Sequence, residues 1–335
     1  PHGTDAIMAA LAGALDLDGL GEGGEVIIPN YTFIATASAA LFMRCSLALV
    51  DVDPVSFTMA PEAVEAAITD KTVAILPVHL GGHPADMDAL NAIAQKHNLA
   101  VIEDCAQAHG AEYNGRKVGA LGDVGAFSFQ SSKNLTSGEG GCLVTNNKEI
   151  WSRAYAFKDV GRRPGGERWE YPRLGWNYRA SEYLAAMLRV RLTKLDDQTQ
   201  LRNENAVYLS ECLDEIGGIT PPRWRPWASQ HGYHLYMMLY DAAEFGGWDR
   251  ADFVQALQAE GVPCTPGYER PLTDEGALTT VAAQYPHLVQ RHPCPNIESV
   301  SERSVWLYQS MLLGSHQDMD DIVAAMAKIK RAFAG

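Results

Sequence analysis

Read from its N-terminus, the chain alternates short apolar runs with amphipathic stretches of helical spacing. Ala6 to Leu17 is alanine-rich and predicts a helix, with Thr4 or Asp5 as its N-cap. Glu25 to Ile28 predicts a strand stopped by Pro29, and an alanine-rich helix follows Phe33 to about Arg44. Leu47 to Val50, Val73 to Val78 and Ala100 to Glu103 read as further strands. Between them, Pro61 to Ile68 and Asp86 to His97 read as helices, the first with proline in its opening turn. Ala126 to Phe129 and Cys142 to Thr145 are two more apolar runs, separated by a polar, glycine-rich turn. Strands of four to six residues alternating with helices predict parallel strands joined by right-handed crossovers, hence an α/β fold with a mostly parallel central sheet.

After Ile150 the pattern turns helical. Lys148 to Phe157 is one helix, a Gly/Arg-rich loop spans Gly161 to Arg173, and a long helix runs from about Ser181 toward Cys212. Gly217-Gly218 and Pro221-Pro222 mark a boundary, so residues 1–217 are expected to form a large domain and 218–335 a smaller α/β domain. In the second part Tyr233 to Tyr240 predicts a strand, Asp249 to Glu260 a helix and Asp318 to Phe333 a terminal helix.

Charge and composition narrow the function. At 335 residues the chain can bury two sizeable cores. Its formal charge of −14 argues against a nucleic-acid partner, because phosphate backbones repel such a surface. No apolar run approaches membrane-spanning length. The six cysteines are scattered without CxxC pairs, which predicts reduced thiols in a cytoplasm, and no metal site is expected. The chain opens on Pro1 with a functional-looking turn directly after it, so the natural protein is expected to begin upstream.

The chemistry sits at predicted strand ends, where ligands bind in parallel sheets. Phe33, His79, Asp104 and Gln107 all fall there. The turn His2-Gly3-Thr4-Asp5 opens a helix and aims free N–H groups at an anion, although taken alone a plain capped helix is the commoner explanation. Lys133 lies in Gln130-Ser131-Ser132-Lys133-Asn134-Leu135-Thr136-Ser137-Gly138-Glu139-Gly140-Gly141, between the two apolar runs. Alone it reads as a surface charge; desolvated, it would become an amine able to form a Schiff base. Asp104 reads either as a turn former or as a carboxylate set against a cation. Such an acid and such a lysine are the two groups pyridoxal 5'-phosphate requires of a protein.

With these residues the chain resembles the DegT/StrS family of sugar aminotransferases of fold type I. The resemblance rests on Gly3-Thr4, the Pro29-to-Thr36 segment, Val101 to Ala111, Phe127 to Gly141 and Gly175 to Arg179. The motif from Phe127 to Gly141 is most similar to the glutamine:scyllo-inosose aminotransferases and the aminohydroxybenzoate synthases. By this resemblance Lys133 carries the Schiff base and moves the proton, and Asp104 pairs with the pyridine nitrogen. Gln107 lies near the ring's phenolic oxygen and Phe33 stacks on its face. Gly3, Thr4 and Ser128 bind the phosphate, and Asn177 reaches the cofactor of a neighbouring subunit in a homodimer with shared active sites. Tyr31, His79, Arg179 and His234 are candidates for substrate contact.

The implied activity moves an amino group from glutamine or glutamate, through pyridoxamine phosphate, to a keto-sugar nucleotide or an inosose-like keto-cyclitol. A lyase that aromatises an amino-shikimate-type substrate, or a cofactor-binding regulator without turnover, are the alternatives.

Overall fold

A computed structural model describes residues 1–334. In chain order the large part holds α1 (Gly3–Ala14), β1 (Glu25–Pro29), α2 (Ala35–Phe42), β2 (Ser46–Val50), α3 (Pro61–Ala67) and β3 (Thr72–Ile75). It continues with α4 (Met87–His97), β4 (Ala100–Asp104), β5 (Val124–Ser128), β6 (Gly141–Val144), α5 (Lys148–Lys158), α6 (Glu182–Leu192) and α7 (Leu195–Ile216). Then come β7 (Ile219–Thr220), β8 (Leu235–Tyr240), α8 (Arg250–Ala259), β9 (Cys264–Thr265), α9 (Gly276–Gln284), β10 (Val289–Arg291), α10 (Pro295–Arg303), β11 (Ser304–Tyr308) and α11 (His316–Ala334).

Seven strands form the central sheet in the order β10-β2-β1-β3-β4-β5-β6. All neighbours run parallel except β5 and β6, which pair antiparallel from Gly125↔Val144 to Ser128↔Gly141. Order 1-3-4-5 on one side and 2 on the other makes the crossovers bury both faces, so β1 and β4 carry almost wholly buried residues. A second, antiparallel sheet has the order β9-β11-β8-β7. The chain after residue 218 is not confined to that sheet. Strand β10 returns to pair with β2 at Val289↔Leu47, and Leu272, Leu278 and Val289 join the core beneath the large sheet.

Three expectations shift. The first helix starts at Gly3 rather than Ala6, with His2 as its cap; Asp5 accepts from the His2 N–H at 3.0 Å instead of capping the helix itself. The long helix from Ser181 breaks into α6 and α7 at Thr193-Lys194, where the Thr193 hydroxyl bonds back to Val190 O at 2.9 Å. Strand β3 ends at Ile75, before Val78. The six cysteines are all free. Among the described residues no helix is long and apolar enough to cross a membrane.

Candidate active site

The C-terminal ends of β4 and β5 face one cavity of about 580 Å³. Asp104, the last residue of β4, points into it and is buried. Its Oδ1 accepts from the Ala106 N–H at 3.0 Å and its Oδ2 from the Thr36 hydroxyl at 2.8 Å. Burial pushes its carboxyl above the ordinary range, opposed by Ala106, Thr36 and the Lys133 charge. A carboxylate held this way calls for a cation at its free side.

Lys133 supplies a positive charge that acts on Asp104. Its loop is tied down locally: Lys133 N–H bonds Gln130 O at 3.0 Å, and Gln130 Oε1 accepts from the N–H and hydroxyl of Ser132. The Thr136 hydroxyl closes the far side onto Phe129 O at 3.0 Å. So fixed, the side chain enters the same cavity as Asp104. Burial lowers the Lys133 pKa, and the Asp104 charge opposes it. The amine is therefore neutral more often than that of an exposed lysine.

At the other end, α1 aims its first turn at Ser128. A Cβ on Gly3 would stand 2.5 Å from the Ser128 Cβ, so glycine is what lets the helix N-terminus come this close. Gly3, Thr4 and Ser128 line the cavity together, giving two backbone donors at a helix start and two hydroxyls. The cavity thus offers an anion cup, an amine and a buried carboxylate around one space.

Phe33, Gln107 and His234 also line it. Phe33 lies over the opening, 56% exposed. Gln107 accepts from the Gly81 N–H at 2.8 Å and donates to the Tyr268 hydroxyl at 3.4 Å. His234 arrives at the start of β8 because Gly232 N–H bonds Gly82 O at 2.8 Å.

Three expected substrate contacts stand elsewhere. His79 is buried with both ring nitrogens engaged, Nε2 donating to Glu103 at 3.0 Å and Nδ1 accepting from Ala85 N–H at 3.0 Å. Glu103 would be pushed up by burial, but His79 and the N–H groups of Gly119 and Gly122 outweigh this and hold its carboxyl below the usual range. His79 thus braces β4 from behind, outside the lining of the cavity where a substrate contact was expected. Tyr31 is fully buried, its hydroxyl 3.1 Å from the Ser304 hydroxyl and its ring edge-on to Tyr268 and Trp306. It backs the aromatic wall rather than facing the cavity. Asn177 and Arg179 are exposed and lie outside this cavity; Arg179 pairs with Asp159 at 2.8 Å.

Sequence reasoning missed Thr36, Tyr268 and Trp306. Thr36 had a signal, since a hydroxyl one helical turn past Phe33 can reach the same strand end. Tyr268 and Trp306 come from the second sheet, and no local pattern announces them.

Residues 2–327 match the model of the DegT/DnrJ/EryC1/StrS aminotransferase family. An L-glutamine:2-deoxy-scyllo-inosose aminotransferase of Streptoalloteichus tenebrarius is 39% identical over 96% of this chain and 80% of its own length. One from Streptomyces fradiae is 37% identical over 98% and 83%. Among solved structures, 3-amino-5-hydroxybenzoic acid synthase superposes with a TM-score of 0.88 at 31% identity, covering 99% of this chain and 85% of that one. The aminotransferase from Psychrobacter cryohalolentis has the same TM-score and identity, covering 100% and 87%.

Proposed function

We propose, since the chain belongs to the DegT/DnrJ/EryC1/StrS aminotransferase family, that it moves an amino group from L-glutamine or L-glutamate to a keto-cyclitol, using pyridoxal 5'-phosphate. The observation that carries this reading is the pairing of Lys133 and Asp104 across one cavity that also has the Gly3 cradle. The fit to the cofactor is chemical. Gly3, Thr4 and Ser128 suit a phosphate, Asp104 lacks the cation that a protonated ring nitrogen would be, and Phe33 offers a face for a flat ring. When bound, pyridoxal phosphate supplies an aldehyde for amines and a ring that draws electrons from the adjoining carbon.

The protein's own groups do the rest. Lys133, its pKa lowered by burial, would hold the cofactor's aldehyde and carry a proton to and from the substrate at Nζ. Asp104, kept from water and fixed by Thr36 and Ala106, holds a ring N–H by a charge-assisted bond. Gln107, anchored on Gly81 and Tyr268, orients the ring edge.

The cavity supports a cyclitol over a nucleotide sugar. Among the described residues no arginine lines it, and Lys133 is its one lysine. Within one copy, the two or more negative charges of a nucleotide diphosphate would meet only Lys133 among the lysines and arginines of the cavity's described lining.

A homodimer completes this reading. Helix α6 buries none of its residues, and Tyr183 on it is 87% exposed, with Met187, Val190 and Leu192 exposed beside it. Such a face suits a second copy, whose cavity Asn177 and Arg179 would then reach.

The test is spectroscopic. Protein loaded with pyridoxal phosphate is expected to lose its visible band on adding L-glutamine or L-glutamate and regain it on adding a keto-cyclitol. Mass spectrometry should find nitrogen-15 from the α-amino group of the donor in the product. A band that neither amino acid changes would overturn the reading.

A further inference from the structure

Beside Lys133 in the chain, Asn134 joins the reactive loop to the second sheet. It is buried, and its Nδ2 donates to Gly232 O at 2.6 Å. Its Oδ1 therefore faces Nδ1 of His234, 3.3 Å away. The opposite amide orientation would press two carbonyl oxygens together, so the rotamer is settled by Gly232. An oxygen that only accepts must meet an N–H. His234 thus carries its proton on Nδ1 and a lone pair on Nε2.

That lone pair is uncommitted. Among the described residues no group bonds Nε2, while the ring lines the cavity with Lys133. Burial first, then the charges of Lys133, His109 and Arg202, holds His234 well below its ordinary pKa, so the ring is neutral at pH 7.

We propose that Asn134 is a positioning residue that turns Nε2 of His234 into a hydrogen-bond acceptor for a ring hydroxyl beside the carbon being aminated. This rests on the keto-cyclitol reading above. A bare nitrogen lone pair repels the carboxylate of an amino acid donor and the carbonyl oxygen of a ketone. It attracts an O–H, which a cyclitol carries on the carbons around its keto group. A site built to accept from a hydroxyl discriminates strongly against substrates lacking one.

Two arms test it. Nitrogen-15 histidine spectra of the protein, with His234→Phe used to assign the signal among ten histidines, are expected to show Nδ1 protonated and Nε2 bare at pH 7. Asn134→Leu should then give a mixture of tautomers. A protonated Nε2 in the wild type, or an unchanged tautomer in the variant, would overturn the proposal.

In the second arm, each half-reaction is followed alone. For His234→Phe the KM for a hydroxylated keto-cyclitol should rise about tenfold, the loss of one hydrogen bond. The glutamine half should change less than about twofold on the same scale, and His234→Gln should restore most of the loss. Equal loss in both halves, loss confined to glutamine, or no loss would each refute it. If the wild type responds to neither glutamine nor glutamate, the functional reading falls and the hydroxyl assignment with it. The nitrogen-15 spectra still decide the Asn134–His234 geometry in that case.

Discussion

In the proposed reading Lys133 acts only in the fraction of molecules where its amine is neutral, and two opposing influences set that fraction. Burial lowers its pKa and Asp104 raises it. Removing the amine by Lys133→Ala is expected to cut turnover more than about 10³-fold, the loss of nucleophile and proton carrier together. Asp104→Asn has a subtler signature. Without the carboxylate the lysine pKa should fall further, so the cofactor-free amine reacts with a simple aldehyde at lower pH than in the wild type. Turnover should drop at least about 10²-fold, because the charge that holds a ring N–H is gone. A lysine whose aldehyde reactivity keeps its wild-type pH dependence in Asp104→Asn would show that the two groups do not sense each other.

At the scale of elements, α1 and β5 approach closely where both line the cavity. A methyl group at position 3 would collide with Ser128. Gly3→Ala is expected to destabilise the fold by about 1–3 kcal/mol through overpacking and to weaken phosphate-dependent cofactor binding about tenfold, read by titrating the cofactor's absorbance.

The loop after β3 carries a separate, pH-linked prediction. His83 donates from Nδ1 to Pro84 O at 2.8 Å and accepts at Nε2 from the Arg225 N–H at 3.1 Å. Burial pushes its pKa down to about 4. Below pH 6.5 the unfolded chain takes up a proton that the folded chain refuses, so stability falls as the pH drops toward 4. Between pH 7 and 5 this histidine should cost about 2 kcal/mol. In urea unfolding, His83→Gln should shrink the pH 7-to-5 difference by that amount, whatever it costs at pH 7.

For the whole molecule, most of what the sequence made legible was local. Asp104 could be placed because Leu99 to Glu103 reads as a buried strand, and Lys133 because the apolar runs flanking it fix where its loop begins and ends. The helices read from alanine and leucine spacing lie within a few residues of their expected places except for the break at Thr193-Lys194, and α9 and α10 went unread. What stayed hidden depends on distant chain segments. The engaged nitrogens of His79 depend on Glu103 and Ala85, and the aromatic wall of Tyr268 and Trp306 depends on how the second sheet leans on the first. The exposed face of α6 was invisible for the same reason, since its apolar residues look like core until packing shows them uncovered. Light scattering is expected to give twice 36.5 kDa, and Val190→Glu should shift that mass toward the single chain by placing a charge in the apolar contact.

Strand β10 carries a consequence for how the protein is made. The flank of β2 that it covers cannot be paired until the ribosome has passed Arg291. Through most of synthesis, then, a nearly finished parallel sheet displays a bare ladder of N–H and C=O groups, an invitation to neighbouring nascent chains. Fragments ending near residue 217 should therefore collect in inclusion bodies, and yield should depend on chaperone supply more than on the stability of the finished enzyme.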